Sequence, residues 1–361
     1  MVEVSAHRFR TLDGWRGVCA LLVALHHFPA HGFLYALPLV RNAWLLVDFF
    51  FVLSGFVIAY AYGERLSDDA QVKSFALRRF LRLWPLHVVI LGGFVVLDII
   101  GYTRTGAIFT GGRSLYALGT NLLLVQALGF NPGLTWNTPS WSISTEFWTY
   151  LIFAGVCFSL PRMRAATSLA LIALSVAILV FVSRFGMRET FEWAIARCVF
   201  GFFTGVLTHE IWARGWLKRF GGSVAEIGVT LFVLAYLIFI PGNRVLEYLA
   251  PPVFACLVLA FANGRGLVSE AMDRRPINAL GRWSYSIYMV HMLLLAIVAS
   301  ALNIAHITGW RADALTLGYI ACVVGVSAFT WRWVEIPGQR LFVQNVRRTP
   351  SSAASPAEPI G

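Results

Sequence analysis

The chain has 361 residues, of which 58% are hydrophobic and only 13% are charged, and its formal net charge is +11. Soluble domains carry about 25% charged residues, so this composition excludes a soluble enzyme, a disordered chain and a secreted disulfide scaffold. It predicts a multi-pass membrane protein. A nucleic-acid partner would require a clustered basic face, so the location of the basic residues decides how the positive charge is interpreted.

Apolar segments of membrane-spanning length recur along the whole chain. We predict ten transmembrane helices, at 14–31, 44–62, 83–102, 141–160, 167–183, 190–208, 223–241, 246–262, 283–302 and 314–331. A further apolar segment, 115–130, is shorter than the roughly 20 residues that a crossing needs and contains Asn121 and Gln126. It therefore predicts a short re-entrant or buried helix in an all-α membrane bundle.

The distribution of basic residues supports ten crossings. With the N-terminus in the cytoplasm, 20 of the 29 Lys and Arg residues fall on the cytoplasmic side and seven outside; an eleventh crossing changes the split to 11 and 16. The positive-inside rule favours the first arrangement, in which both termini are cytoplasmic. Because membrane orientation then accounts for the basic residues, no nucleic-acid partner is predicted. Residues 1–340 are expected to form a single transmembrane domain, and the polar segment 341–361 is predicted to be a disordered cytoplasmic tail.

The first predicted span carries ionisable residues along one face. Asp13, Arg16, His27 and His31 lie within about 80° of one another at 100° per residue, whereas His26 points the opposite way. Ionisable groups inside a span are costly and are functional candidates by default. Two simpler interpretations remain open: Asp13 and Arg16 could cap the helix end, and His27 could be a core histidine. No third ligand accompanies the two histidines, so no metal site is predicted.

The second predicted span contains one acidic residue, Asp48, in an otherwise unbroken apolar run. A buried carboxylate needs a compensating cation, for which an arginine near the end of another span is a candidate. A structural ion pair and a direct catalytic role are both open interpretations.

Four basic residues precede the third predicted span: Lys73, Arg78, Arg79 and Arg82. The three arginines form one helical face through i,i+3 and i,i+4 spacing. Cytoplasmic orientation alone would explain them, but arginines on one face also suit a multiply phosphorylated ligand such as coenzyme A.

Two later spans have polar faces. Ser142, Glu146 and Tyr150 share one face of the fourth span beside Trp141, and Glu146 is a lone carboxylate among aromatic residues. The ninth span places three further polar residues on one face, where hydroxyl-mediated helix packing is an equally good explanation: Ser284, Tyr288 and His291.

Five segments in this order resemble the acyltransferase-3 family of membrane acyltransferases. They are LDGWRGVCALLVALHH, DFFFVLSGF, FALRRFLRLWPLH, PSWSISTEFWTYL and LGRWSYSIYMVH, and the terminal WVEIP also fits. The resemblance covers residues 11–337. It implies a ten-helix protein that moves an acyl group, usually acetyl, from acyl-CoA to a hydroxyl. The sequence given is too short to hold the C-terminal SGNH-type domain of some relatives, so the form without that domain is expected.

The resemblance also implies roles for individual residues. The first-helix Arg and His of the family match Arg16 and His27, the arginine-rich segment matches Arg78, Arg79 and Arg82, and the Trp-Ser-x-x-x-Glu pattern matches residues 141–146. Acyl-CoA, expected to be acetyl-CoA, would be a co-substrate rather than a tightly bound cofactor. The arginines and Lys73 would hold its phosphates.

We expect His27 to act as general base or transient acyl carrier on a saccharide or glycolipid acceptor in the cytoplasmic membrane. Arg16 would hold the arm of the donor or stabilise negative charge, and Glu146 and Asp48 would orient the histidine or arginine. Asp13 is a further candidate catalytic residue. The expected substrate-binding residues are Trp141, Ser142, Ser284, Tyr288 and His291. A transporter or flippase for a lipid-linked saccharide or another polar metabolite is the alternative function. The acceptor, the acyl-chain length and the oligomeric state stay open.

Overall fold

The computed structural model describes residues 9–215, 222–240 and 243–340; the predicted tail 341–361 lies outside the described residues. Within these ranges the regular structure is helical, without a β-strand, and one isolated bridge pairs His31 with Thr308. The prediction of an all-α protein is confirmed.

Ten helices of 12 residues or more in the described part of the chain overlap the ten predicted spans. They are α1 (Arg10–His27), α2 (Leu46–Tyr62), α3 (Asp69–Thr105), α4 (Trp141–Ser159), α5 (Arg164–Phe181), α6 (Ala194–Ala213), α7 (Ser223–Phe239), α8 (Ala250–Phe261), α9 (Arg275–Ala301) and α10 (Gly309–Thr330). A π-helical turn, Trp331–Glu335, follows α10. Short helices lie in the connections, at Phe33–Ala36, Pro38–Arg41, Leu115–Leu122, Arg244–Glu247 and Leu267–Met272.

Six helical segments of the described residues are long and apolar enough to cross a membrane. They are Ala43–Tyr62, Asp69–Thr103, Pro161–Phe181, Ala194–Ala213, Arg275–Ala301 and Gly309–Arg340, and α7 and α8 are shorter apolar helices. The remaining two, α1 and α4, hold many of the polar residues expected in the site. The structure is that of a multi-pass membrane bundle.

Helix α1 ends earlier than the apolar run. The backbone of Phe28 is extended, because the residue before Pro29 is disfavoured in the α conformation. The prediction that His31 shares a helical face with His27 is therefore wrong: α1 stops at His27, and His31 pairs with Thr308 instead.

Helix α3 begins 14 residues before the predicted start of the third span, at Asp69. The side chain of Asp68 accepts a hydrogen bond from the backbone N–H of Gln71 at 2.8 Å and caps the helix N-terminus. With 37 residues, α3 is about 55 Å long, which exceeds the roughly 30 Å hydrocarbon core. Its first turns, which carry the basic residues, therefore extend beyond the apolar part.

The segment 115–130 forms only the helix Leu115–Leu122, which is eight residues long and so spans about 12 Å. Its Asn121 is fully buried and donates to the carbonyl oxygen of Ala117 at 2.7 Å and to Thr135 Oγ1 at 2.8 Å. The helix is too short to cross hydrocarbon, and its buried face consists of Ala117, Thr120 and Asn121.

Helices α2 and α6 pack with their backbones in contact. A Cβ atom on Gly55 would lie 1.9 Å from the carbonyl oxygen of Phe202, and one on Gly205 would lie 1.9 Å from that of Val52. Small residues permit this approach, as in many membrane helix pairs. The contact matters for the site because α2 carries Asp48.

We expect Gly205→Ala to lower the thermal unfolding midpoint of the detergent-solubilised protein. The added methyl group would force α2 and α6 apart, and overpacking of this kind costs about 1–3 kcal/mol. Gly228→Ala on α7 is the matched control, because no atom lies within 4 Å of a Cβ at that position. Equal midpoints for the two variants would contradict the close packing.

Candidate functional site

Two adjoining cavities lie inside the helix bundle. We call the cavity with Arg79 and Arg82 in its wall the inner cavity; its volume is about 170 Å³. We call the cavity with His27 in its wall the outer cavity; its volume is about 300 Å³. Val47 of α2 and Tyr288 of α9 line both cavities and stand between them.

The inner cavity gathers side chains from α1, α2, α3, α4 and α9. Seven residues predicted for the site line it: Arg16, Arg79, Arg82, Ser142, Glu146, Ser284 and Tyr288. The helical faces inferred from spacing therefore do converge on one space.

Arg82 is anchored by a buried carboxylate. Its guanidinium donates to Glu335, which is 2% exposed and also accepts from Ser286 Oγ at 2.5 Å. The guanidinium carbon lies 5.2 Å from the ring centroid of Tyr285, a cation–π contact. The sequence analysis assigned Glu335 no role in the site. Its only signal is an isolated acid in the apolar motif WVEIP.

Arg79 is held by aromatic side chains. Its Nη2 donates to the hydroxyl of Tyr62 at 3.2 Å, and its guanidinium carbon lies 5.3 Å from the Tyr62 ring centroid and 5.8 Å from that of Tyr150. The buried Nε–H of Arg79 has no hydrogen-bond partner among the described residues. A buried donor in this position is suited to an anionic or carbonyl ligand.

Glu146 belongs to a hydroxyl cluster in the inner cavity. Its Oε1 accepts from Ser54 Oγ at 2.7 Å and from the hydroxyl of Tyr150, and these two hydroxyls lie 2.8 Å apart. The structure thus places Glu146 with Ser54 and Tyr150 rather than beside His27, which lines the other cavity. Of the two expected partners of Glu146, a histidine or an arginine, the structure does not bring His27 into contact with it.

The other predicted charged residues lie at the edge of the site. Asp13 forms an ion pair with Arg16 at 3.5 Å. Lys73 and Arg78 are exposed on the first turns of α3 and do not line the inner cavity. Arg78 places its guanidinium 5.8 Å from the Tyr62 ring centroid. Of the four basic residues predicted to bind the donor, only Arg79 and Arg82, on the inward face of α3, line the inner cavity.

His27 and His291 form a histidine pair with ring centroids 5.0 Å apart. His27 Nδ1 lies 2.8 Å from the carbonyl oxygen of Val23, and Nδ1 of the fully buried His291 lies 2.7 Å from that of Tyr288. Because a carbonyl oxygen can only accept, each neutral imidazole carries its hydrogen on Nδ1 and leaves Nε2 with a free lone pair. Nε2 of His291 has no partner among the described residues.

The outer cavity contains a buried ion pair. Arg197 donates from Nε and Nη2 to the two carboxylate oxygens of Asp48 at 2.9 and 2.6 Å, and both side chains are essentially inaccessible. The guanidinium carbon lies 5.2 Å from the ring centroids of both Trp44 and Trp141. This is the ion pair that the sequence analysis kept as one alternative for Asp48, and it orients an arginine instead of His27.

The rim of the outer cavity holds a second ion pair. Arg188 donates to Glu247 Oε1 from Nε at 2.9 Å and from Nη2 at 2.6 Å, and these hydrogen bonds raise the pKa of the Arg188 guanidinium. Arg188 therefore keeps its charge at the mouth of the cavity. Trp44, Thr138 and Thr190 line the same space.

The family model described as an acyltransferase domain (the acyltransferase-3 family) matches residues 9–332. The chain belongs to this family. The resemblance drawn from the five motifs is confirmed, and the protein is a multi-pass membrane acyltransferase. All the site residues described above, except Glu335 in WVEIP, fall inside the matched range.

The relatives have low sequence identity to this chain, and two of them match it over most of its length. The acyltransferase MdmB of Streptomyces mycarofaciens is 27% identical over 97% of this chain and 96% of that protein. The peptidoglycan O-acetyltransferase OatA of Listeria monocytogenes is 22% identical over 91% of this chain and 55% of that protein. Protein 2 in picA locus of Rhizobium radiobacter is 35% identical over 43% of this chain. No solved structure matches the chain.

We expect Asp48→Asn to destabilise the protein strongly, because it leaves Arg197 buried without a counter-charge. Breaking one partner of a buried ion pair costs about 3–5 kcal/mol. Thermal unfolding in detergent measures the effect, and the double variant Asp48→Leu with Arg197→Met should recover much of the stability. Asp273→Asn is the control, since its ion pair with Arg10 is exposed and such pairs contribute about 0–1 kcal/mol. Equal losses at positions 48 and 273 would contradict a stabilising role for the buried pair.

Proposed function

We propose that the protein is an acyl-CoA-dependent O-acyltransferase that moves an acetyl group to a hydroxyl of a carbohydrate or glycolipid. The observation that carries this proposal is the pair of adjoining cavities, one lined by arginines and the other by His27. An anionic donor and a neutral hydroxyl acceptor require different surroundings, and the two cavities offer them on opposite sides of Val47 and Tyr288.

The donor occupies the inner cavity from the cytoplasmic side. A volume of about 170 Å³ is below the roughly 300–1,000 Å³ of sites for drug-sized ligands, so it suits the pantetheine arm rather than the whole coenzyme. Arg79 and Arg82 line the cavity, while Arg78 and Lys73 project from the extended first turns of α3. The proposal is that these four side chains hold the phosphates at the cytoplasmic end of the cavity while the arm enters it.

The acyl group reaches His27 along the axis of α1. Arg16 and His27 are eleven residues apart on this helix, a separation of about 16 Å, which suits a long thioester arm. Arg16 lines the inner cavity, where it can hold the arm or stabilise negative charge on the thioester oxygen. The ion pair with Asp13 fixes the position of its guanidinium.

His27 supplies the proton transfer that the reaction needs. Its Nε2 lone pair accepts the acceptor's hydroxyl proton as that oxygen attacks the thioester carbonyl. The carbon–sulfur bond breaks, the ester bond forms, and the proton passes to the departing thiolate of coenzyme A. The same lone pair could instead attack the thioester first and carry the acyl group to the acceptor.

The acceptor occupies the outer cavity. Its wall combines indole rings, the hydroxyls of Thr138 and Thr190 and the charged Arg188, a combination suited to a hydroxyl-bearing ring. The Listeria relative is named as acting on peptidoglycan, which is a carbohydrate polymer, and this supports the same acceptor class here. The ten-crossing arrangement with cytoplasmic termini directs the outer cavity away from the cytoplasm.

We expect His27→Ala to abolish acyl transfer while the amount of folded protein in the membrane stays unchanged. Purified protein incubated with radiolabelled acetyl-CoA and a hydroxyl acceptor measures the reaction, because a transporter would form no ester. His26→Ala is the matched control: its Nδ1 contacts the carbonyl oxygen of Val40 at 3.0 Å, and its ring does not line either cavity. Normal ester formation by His27→Ala would rule out the proposed role. Absence of transfer by the wild-type protein would favour the transporter alternative.

We expect Arg79→Ala to raise the KM for acetyl-CoA by about 10- to 100-fold with a smaller effect on kcat, which is the range of one charge-assisted hydrogen bond of about 1.5–3 kcal/mol. Steady-state kinetics with acetyl-CoA as the varied substrate give both constants. Arg162→Ala, which removes an exposed arginine of the same predicted side, should leave the KM unchanged. A change confined to kcat would contradict donor binding at Arg79.

A further inference from the structure

We propose that Val47 and Tyr288 set the length of the acyl group and restrict it to a short chain. This inference rests on the proposed function, because it assumes that the donor arm fills the inner cavity and that transfer occurs beside His27. The two residues are the part of the wall that the cavities share. An acyl group at the end of the arm must therefore lie between them when it meets the acceptor.

Both side chains are buried, with 5% of Val47 and 7% of Tyr288 exposed. The wall that the two cavities share is consequently formed by a branched aliphatic group and a phenol ring. Packed interiors resist even one additional methylene group, because neighbouring side chains yield only in part. A chain longer than acetyl would have to displace one of these two groups.

Tyr288 is held in place from several directions. Its hydroxyl donates to the carbonyl oxygen of Pro139 at 3.1 Å and accepts from Ser142 Oγ at 2.9 Å. Its ring centroid lies 6.0 Å from that of Phe50 and 5.9 Å from that of His291. A ring fixed by two hydrogen bonds and two ring contacts acts as a rigid boundary and not as a swinging gate.

Val47 is fixed through its neighbour in the chain. Asp48 follows it directly and forms the buried ion pair with Arg197, so the first turn of α2 cannot shift without breaking that pair. The distance between the two boundary residues is thus set by α2 on one side and α9 on the other. The proposal therefore places the acyl group at an aperture between two side chains that are each held in position.

The experiment compares acyl-CoA chain lengths. Wild-type protein and variants are assayed with acetyl-, propionyl- and butyryl-CoA at equal concentration, and the rate with each longer donor is divided by the acetyl rate. A hydrophobic boundary discriminates one methylene group by about 10- to 200-fold. We therefore expect a strong acetyl preference in the wild type and a rise of at least about tenfold in the butyryl ratio for Val47→Ala.

Two further variants complete the test. Val199→Ala removes the same atoms from a residue that is 6% exposed and lines neither cavity, so its butyryl ratio should equal that of the wild type. Val47→Ile narrows the aperture and should lower the propionyl ratio. This variant keeps the inference testable if Val47→Ala does not fold.

The outcomes separate this inference from the proposed function. Three results would each overturn the aperture while leaving the acyltransferase function intact. They are active wild-type protein with a flat chain-length profile, an unchanged profile in both Val47 variants, and an equal rise in Val47→Ala and Val199→Ala. Failure of the wild type to transfer any acyl group from coenzyme A would overturn the proposed function itself.

Discussion

The structure depends on one constraint: ionisable groups inside an apolar helix bundle require compensating partners. Asp48 and Arg197 satisfy each other in a bidentate pair that joins α2 to α6. Arg82 and Glu335 join α3 to the turn that follows α10. An unpaired charge in these positions would cost several kcal/mol, so these pairs fix the helices that surround the cavities. The glycine contacts between α2 and α6 bring the first pair within bonding distance.

Two buried polar atoms without a hydrogen-bond partner among the described residues belong to the arginine and histidine groups of the site. The Nε–H of Arg79 lies in the inner wall, and Nε2 of His291 lies next to His27. Buried polar atoms without partners are rare in folded proteins. In the proposed function, the donor enters beside Arg79 and reacts beside the histidine pair, so that anion recognition and proton transfer are kept apart within one bundle.

Much of this arrangement could be predicted from the sequence, because hydropathy locates helices and a polar residue in an apolar run is conspicuous. The partners were harder to find. Glu335 lies 253 residues from Arg82, and Arg197 lies 149 residues from Asp48, and periodicity within a single helix carries no information on such pairings. For the same reason the sequence left open whether Glu146 orients a histidine or an arginine, since the candidates lie on different helices. Helix ends were also misjudged, at Pro29 and at Asp68, where local backbone chemistry overrides hydropathy.

The central claim is that acyl-CoA enters through the arginine-lined cavity and places its acyl group between Val47 and Tyr288. An experimental structure of the full chain with a non-hydrolysable acetyl-CoA analogue tests this most directly. The account predicts phosphate density beside Arg79 and Arg82, an arm in the inner cavity and an acyl carbonyl at the shared wall. Density for the analogue in the outer cavity, or on the outer surface of the bundle with the inner cavity empty, would contradict it.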